Sequence, residues 1–234
     1  MWLKVKALLS RSGLLFCLLG LALAGLACWI SYELQLGQQR KAYSREINST
    51  FQVVGQRMAV AEASLDALVG LYQASDDMDA ALFTPFSRRI LQEHGFLDSL
   101  EYLTYIGIDE KQQFVDEMHE AGFSQFEIRP LNGQSPGLDH FLVTSFLEPL
   151  TPSNAGLMGM DWLGDSELRQ VIFAAARNNA SRLLPAPAAL GQPRHLVAIK
   201  PTYFGRSIES GAAERLEQFS GAFVILLDWN KMSL

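Results

Sequence analysis

The longest apolar pattern in the chain is an uncharged run from Ser12 to Tyr32. At a helical rise of about 1.5 Å per residue, this run spans roughly 31 Å, which matches the hydrocarbon thickness of a bilayer. Trp29 lies with Tyr32 near its C-terminal end, where amphipathic rings favour the lipid headgroup level. The pattern predicts a transmembrane anchor over residues 12–32, preceded by a cytoplasmic N-terminal segment over residues 1–11.

The charges that flank this run predict its orientation. All basic residues of this region precede the run, and they are Lys4, Lys6 and Arg11. The first acidic residue of the chain is Glu33, so the positive-inside rule places everything after the run outside the cytoplasm. A cleavable signal peptide is the alternative, because Ala22-Leu-Ala24 resembles a cleavage site. Since the run stays apolar well past that point, we expect an anchor in a bacterial inner membrane.

A second pattern, with apolar residues spaced alternately by three and four, follows the predicted anchor. Its members are Tyr43, Ile47, Phe51, Val54, Met58, Ala61, Leu65, Leu68 and Tyr72. This spacing is close to a heptad repeat and predicts a long stalk helix of about 60 Å over residues 33–74. The stripe can pack against the chain's own domain, as we expect for its distal half, or against a second copy. Because it continues from a membrane helix, we also expect a homodimer through the stalk helix.

The remaining residues, 75–234, alternate between strand-like and helix-like patterns. Helices are predicted over residues 80–95, 109–121 and 164–179, with Asp109 expected to cap the second of them. Strands or extended segments are predicted over residues 100–108, 123–130, 140–147, 157–161, 181–190, 194–204 and 219–229. The tract over residues 205–217 is either a long hairpin loop or a short exposed helix. The fold class is therefore α+β, with antiparallel strands and short helices on one side.

The composition of the chain excludes several classes of partner and of chemistry. Three of the 19 basic residues and none of the 25 acidic residues precede Glu33, so the rest of the chain carries a net charge of −9. Such an acidic surface argues against nucleic acid as a partner. Both cysteines, Cys17 and Cys28, lie within the predicted anchor, so the outer part has no disulfide framework.

Several stretches in residues 75–230 resemble one known family when their order and spacing are taken together. They are Glu101–Ile108, Gly122-Phe123, Phe126–Ile128, Phe141–Pro149, Asn154, Gly159–Asp161, Ala174–Arg177, Leu196–Tyr203 and Gly221–Ile225. This series resembles the CHASE domain, the extracytoplasmic sensor of cyclases and histidine kinases. The resemblance implies a stalk helix that bears two PAS-like antiparallel-sheet subdomains, distal and proximal, with a small-molecule ligand in the distal one.

Glu148 is the first candidate ligand-binding residue. In the plant cytokinin receptors of this family an acidic side chain hydrogen-bonds a purine ring, and the resemblance brings Glu148 near that position. An ionised carboxylate accepts hydrogen bonds, so an adenine-like ligand or another small metabolite with an amine would fit. A strand-end residue that faces water is the alternative. His140, Thr144 and Phe146 alternate along the same strand, so we expect them to share one face with Glu148.

Three further residues are candidates for the ligand site, each with a structural alternative. Asp161 faces the pocket or caps the helix that begins near Gly164. Lys200 interrupts an apolar strand, and it contacts an anionic ligand group or Glu148, or else extends its ammonium group to water. Tyr203 donates a hydrogen bond to a ligand or packs in the core.

No catalytic constellation is present in the sequence. The four histidines lie far apart, and no metal-ligand spacing, phosphate-binding loop, nucleophile elbow or dinucleotide fingerprint occurs. We therefore expect no enzymatic activity, no metal and no cofactor in this chain. The favoured function is the periplasmic sensor domain of a longer receptor, with a diguanylate cyclase or histidine kinase output beyond Leu234. The alternative is a bitopic envelope scaffold that uses the stalk helix and acidic surface to bind proteins.

Overall fold

The computed structural model describes residues 21, 23–26, 29, 50–75, 78–133, 137, 139–190, 194–205 and 211–232. The chain divides into two units, Met1–Gln52 and Val53–Leu234. Every described residue of the first unit is helical. Within the described residues, no helix is both long and apolar enough to cross a membrane. The predicted anchor over residues 12–32 lies largely outside the described part of the chain.

The first helix, α1, covers residues 50–74, and one of its faces carries the predicted apolar stripe. The stripe residues that pack against the second unit's own core are Val54, Met58, Ala61, Leu65, Leu68 and Tyr72. Phe51, in contrast, is 73% exposed. The distal half of the stripe is therefore buried in its own domain, as predicted. Residues 33–49 lie outside the described residues, and the homodimer stays a prediction.

The second unit contains five further helices and seven strands within its described residues, which confirms the α+β class. The helices are α2 (Ala80–Glu93), α3 (Lys111–Glu120), α4 (Ser166–Asn178), α5 (Ala212–Glu217) and α6 (Trp229–Met232). The strands are β1 (Leu97–Gly107), β2 (Arg129–Pro130), β3 (His140–Glu148), β4 (Met160–Asp161), β5 (Arg182–Pro185), β6 (His195–Tyr203) and β7 (Phe219–Asp228). Short 3₁₀ helices span Ala155–Leu157, Trp162–Gly164 and Ala188–Leu190.

All seven described strands belong to one sheet, in the order β2-β4-β3-β1-β7-β6-β5. The described pairs are antiparallel except for β2 with β4, which are parallel. The division into distal and proximal PAS-like subdomains stays a prediction, but within the described residues the strands form one sheet rather than two. The reason is the long central strand β1, which pairs with β3 along one edge and with β7 along the other.

The sheet is covered on both faces, rather than on one as the sequence suggested. Every residue of β7 from Phe219 to Leu227 is buried. Its side chains alternate between two cores, with Val224 in one and Phe223 in the other. Helices α1 and α2 cover the face that carries Phe223, and α3, α4 and the 3₁₀ helix at Trp162–Gly164 contribute to the core on the face that carries Val224. A strand without polar alternation is stable only where both of its faces are shielded from water.

Of helices α2, α3 and α4, two begin at a residue whose side chain caps the helix. Asp79 accepts a hydrogen bond from the Leu82 amide at the start of α2, and Asp165 accepts from two amides at the start of α4. Asp109 does not cap α3, because that helix begins one residue later than expected, with Glu110 at the cap position. The Glu110 carboxylate instead accepts from the Gly107 amide at 2.9 Å and closes the preceding turn.

Candidate functional site

A cleft of about 440 Å³ lies between the start of α2, helix α3 and strands β1 and β3. Its volume is within the range of small-molecule sites. The lining residues are Tyr72, Met78, Asp79, Ala80, Tyr102, Thr104, Tyr105, Ile106, Glu110, Gln113, Phe114, Glu117, Met118, Ala121, Ser145, Phe146, Phe204 and Ser220. The cleft therefore combines residues of three helices, α1, α2 and α3, with the middle of the sheet, which is an arrangement suited to holding a ligand.

Aromatic rings form much of the wall of this cleft. The ring of Tyr102 lies 5.8 Å from that of Tyr72 and 6.2 Å from that of Phe146, measured between centroids. Phe114 adds a ring from α3, and Phe204, which is 63% exposed, adds one beyond the end of β6. Such rings bury large apolar areas with few rotatable bonds, so the wall is suited to a flat or apolar ligand body.

Hydroxyl groups of three strands form the polar part of the lining. The hydroxyls of Thr104 and Ser145 lie 2.5 Å apart across β1 and β3. On β7, the buried Ser220 hydroxyl donates to the hydroxyl of Thr202 on β6 at 3.0 Å. A hydroxyl both donates and accepts hydrogen bonds, so these groups can bind either a donor or an acceptor on a ligand.

Carboxylates supply every full charge in the described lining at neutral pH. Asp79, Glu110 and Glu117 are exposed, and no Lys, Arg or His side chain contributes to it. Each of these carboxylates is already held, since Asp79 caps α2, Glu110 closes a turn and Glu117 accepts from Gln113 at 2.9 Å. The cleft therefore has an acidic rim around an aromatic interior.

Of the residues that the sequence suggested for ligand binding, Phe146 alone lines this cleft. Glu148 lies on the same side of the sheet but is mostly buried and forms an ion pair with Arg88 of α2, with Nε and Oε1 2.9 Å apart. Its carboxylate is therefore occupied by a protein group. The sequence did not suggest this pair, because the two residues lie 60 positions apart.

The expected common face of His140, Thr144, Phe146 and Glu148 is broken by a bulge in β3. In the register with β1, Tyr102 is opposite Phe146 and Leu103 is opposite Thr144. Ser145 therefore has no residue opposite it on β1. An extra residue in one strand reverses the alternation beyond it. Phe146 and Glu148 therefore face α2, whereas Thr144 faces the opposite core.

Neither of the two candidates before the bulge lines the cleft. The His140 ring stacks on that of Tyr105, with centroids 4.9 Å apart, and it is exposed. Thr144 is fully buried, and its hydroxyl accepts a hydrogen bond from the Trp162 indole at 3.0 Å. Of these two, only His140 comes near the cleft, through its contact with Tyr105, whose ring lines it.

The remaining three candidates have structural partners. Asp161 is buried and accepts from the amides of Leu142 and Leu163 at 3.0 Å, which agrees with its capping alternative, although the helix it caps is the 3₁₀ helix Trp162–Gly164. Lys200 forms an ion pair with Asp66 of α1, so it contacts neither Glu148 nor the cleft.

Tyr203 is the third candidate that the structure places in the core. Its hydroxyl donates to the Ala176 carbonyl of α4 at 2.6 Å. Burial raises the pKa of Tyr203 to about 12, so its hydroxyl stays protonated at neutral pH. Tyr203 therefore packs in the core against α4, the structural alternative that the sequence left open, and it does not line the cleft.

The sequence reasoning did not single out Glu101, the most unusual ionisable group among the described residues. Its side chain is fully buried, and one carboxylate oxygen has no hydrogen-bond partner. The other oxygen accepts from the Thr144 hydroxyl at 3.4 Å. Desolvation raises the pKa of Glu101 to about 7, while this hydrogen bond acts in the opposite direction. A single glutamate within the apolar stretch Leu100–Ile106 was the signal that could have identified it.

Two further cavities are less suited to a small ligand. One, of about 460 Å³, is lined by loops around Phe126 and Gly156, and its Arg129 side chain is engaged by backbone carbonyls. The other, of about 520 Å³, is an open apolar groove between Leu71 and α2. No group of three or more potential metal ligands occurs within the part of the chain that the structure describes.

Comparison with known protein families gives a match for this chain. The family model of the CHASE domain matches residues 76–233, which is more than half of the chain and includes the cleft except for Tyr72. No curated protein matches the chain.

Proposed function

The chain belongs to the CHASE domain family, and from this premise we propose that it is the ligand-binding input part of a transmembrane signalling receptor. CHASE domains are extracytoplasmic sensor domains and are not catalytic. The finer proposal is that the receptor spans a bacterial inner membrane and controls a diguanylate cyclase or a histidine kinase. A ligand changes such an output only through a difference in its affinity for two arrangements of the receptor.

The observation that carries this proposal is the cleft between α3 and the sheet. It combines a volume suitable for a small metabolite with aromatic walls and a small number of polar groups, as small-molecule sites do. It also lies on β1, the central strand of the sheet, which joins the half that contains β3 to the half that contains β7. A ligand in the cleft would therefore contact elements from both halves of the sheet.

Phe204→Ala is expected to weaken ligand binding without unfolding the protein. The ring lines the cleft but is 63% exposed, so its removal takes away ligand contact and little of the core. We expect a loss of affinity of about fivefold for a cleft ligand, equivalent to about 1 kcal/mol. The measurement is thermal melting of the full chain in a neutral detergent against a library of small metabolites.

Phe51→Ala is the matched control, because it removes the same side chain from an exposed position outside the cleft. A cleft ligand should stabilise the wild type and Phe51→Ala equally, and Phe204→Ala less. Equal stabilisation of all three proteins would place the binding site elsewhere. A library that stabilises none of them, together with a stable complex with a second envelope protein, would favour the scaffold function.

A labelling experiment tests the proposed topology. The chain has no cysteine after Cys28, so a Cys17→Ser, Cys28→Ser background accepts single reporter cysteines. Ser124→Cys is suitable because Ser124 is exposed in a turn. In intact bacteria, we expect this cysteine to react with a membrane-impermeant maleimide, and Ser10→Cys to react only after lysis. Labelling of Ser124→Cys only after lysis would contradict the periplasmic location.

A further inference from the structure

The full charges among the described lining residues of the cleft are all negative. Asp79 belongs to the start of α2, and Glu110 and Glu117 belong to the turn before α3 and to α3 itself, so the negative charge comes from two separate elements. None of the described lining residues is basic. The nearest basic residue in sequence, Lys111, has its ammonium group 5.0 Å from the ring centroid of Phe141, which is not part of the lining.

The aromatic walls favour the same kind of ligand as the carboxylates. The face of an aromatic ring carries partial negative charge and attracts a cation within about 6 Å of its centroid. Tyr72, Tyr102 and Phe146 supply adjacent rings on one side of the cleft, and Phe114 supplies one from α3. An anionic ligand would meet unfavourable interactions at both the rim and the wall, whereas an organic cation would meet favourable ones at both.

We propose that the cleft recognises an organic cation, namely a small amine or quaternary ammonium compound with an apolar body. This assignment rests on the proposed sensor function and names the ligand class of the same site. The cationic group lies against the ring faces and near Glu117, the apolar body packs along Tyr102 and Phe146, and the hydroxyls of Thr104 and Ser145 hydrogen-bond any polar substituent.

Three probes with one skeleton and different charge test the ligand class. Phenethylamine is cationic at pH 7, 2-phenylethanol is neutral and 3-phenylpropionate is anionic, and each is titrated calorimetrically into the full chain in a neutral detergent at low salt. We expect the amine to bind about tenfold more tightly than the alcohol, because cation–π and carboxylate interactions add to the shared apolar contact. We expect the anionic 3-phenylpropionate to bind more weakly than 2-phenylethanol.

A pair of variants on α3 tests the contribution of the rim. Glu117→Gln removes a lining charge and should weaken the amine about threefold while leaving the alcohol unchanged, since exposed ion pairs contribute modestly. Glu120→Gln makes the same change on the same helix at an exposed position outside the lining, and it should change neither affinity. Raising the salt concentration to about 0.5 M should reduce the preference for the amine, because exposed charges are then screened.

The outcomes separate failure of the ligand class from failure of the site. Suppose that 2-phenylethanol or 3-phenylpropionate binds as tightly as phenethylamine and that Phe204→Ala still weakens binding. The cationic ligand class is then wrong, and the cleft remains the binding site. If the amine binds but neither Phe204→Ala nor Glu117→Gln changes its affinity, both the class assignment and the proposed site are wrong. Absence of binding by all three probes would also overturn the assignment.

Discussion

Replacing Glu101 with glutamine is expected to raise the free energy of unfolding above pH 7 by about 3 kcal/mol. The pKa of this carboxyl is about 7 in the folded protein, against 4.5 for an ordinary glutamate. Each unit of difference in pKa corresponds to about 1.4 kcal/mol between the two protonation states. Because the folded protein binds this proton more tightly, the contribution of Glu101 to stability is most favourable near pH 4.5 and below, becomes less favourable as the pH rises to 7, and is then constant. Glutamine has a similar shape and no ionisable proton, so it removes this penalty.

The measurement is urea unfolding of wild type and Glu101→Gln at pH 5 and pH 8. The two proteins should differ little at pH 5, and the variant should be the more stable at pH 8. Asp161 also has a pKa raised by burial, so some pH dependence remains in both proteins, and the difference between them isolates Glu101. Glu120→Gln is the control, because Glu120 is an exposed glutamate and its replacement should leave the pH dependence unchanged. An identical pH dependence in wild type and Glu101→Gln would show that folding does not raise the pKa of Glu101.

Gly221→Ala is expected to destabilise the second unit by about 3 kcal/mol, the upper part of the range for overpacking a core. Gly221 lies in β7, opposite Thr104 on β1 and Thr202 on β6. A Cβ atom at this position would lie 2.2 Å from the carbonyl oxygen of Leu103. That oxygen belongs to the backbone of the central strand, so the substitution can be accommodated only if β1 and β7 move apart.

Gly70→Ala provides a control in which the same substitution is expected to increase stability. Gly70 lies within α1, and no atom lies within 4 Å of the position that its Cβ would occupy. Because alanine has the higher helix propensity, this substitution should stabilise the protein by about 0.5–1 kcal/mol. Both variants are measured by urea unfolding at one pH. If Gly221→Ala proves as stable as wild type, the close approach of β1 and β7 at Leu103 is not a constraint on the fold.

Much of the local structure was predictable because it depends on neighbouring residues. Strand β3 was expected over residues 140–147 and is His140–Glu148, and α4 was expected to end near Asn179, which is its left-handed C-cap. Period-two and period-3.6 patterns and short polar caps operate within a few positions of the chain. The error at Asp109 arose because two adjacent acidic residues compete at the start of α3, and sequence alone does not rank them.

The site was less predictable because it depends on distant residues. Phe146 was identified, but the bulge at Ser145 changes which face of the sheet the following side chains of β3 occupy. The position of the bulge follows from how β1 and β3 pair rather than from either strand alone. Likewise, the partner of Glu148 comes from α2, and the partner of Lys200 comes from α1. Most of the cleft residues, including those of α3, were not suggested by the sequence, because they come together only when helix and sheet pack.

By itself, the sequence determined the α+β class, the CHASE resemblance over residues 75–230, most strand and helix positions, and the burial of the distal part of the α1 stripe. These properties follow from periodicity, capping and the order of motifs along the chain. Only the tertiary structure decided that the described strands form one sheet covered on both faces, that Glu101 is buried with an unpaired oxygen, and that the cleft has an acidic rim. The physical reason is that burial, pairing register and the sum of nearby charges are properties of surfaces built from residues far apart in sequence.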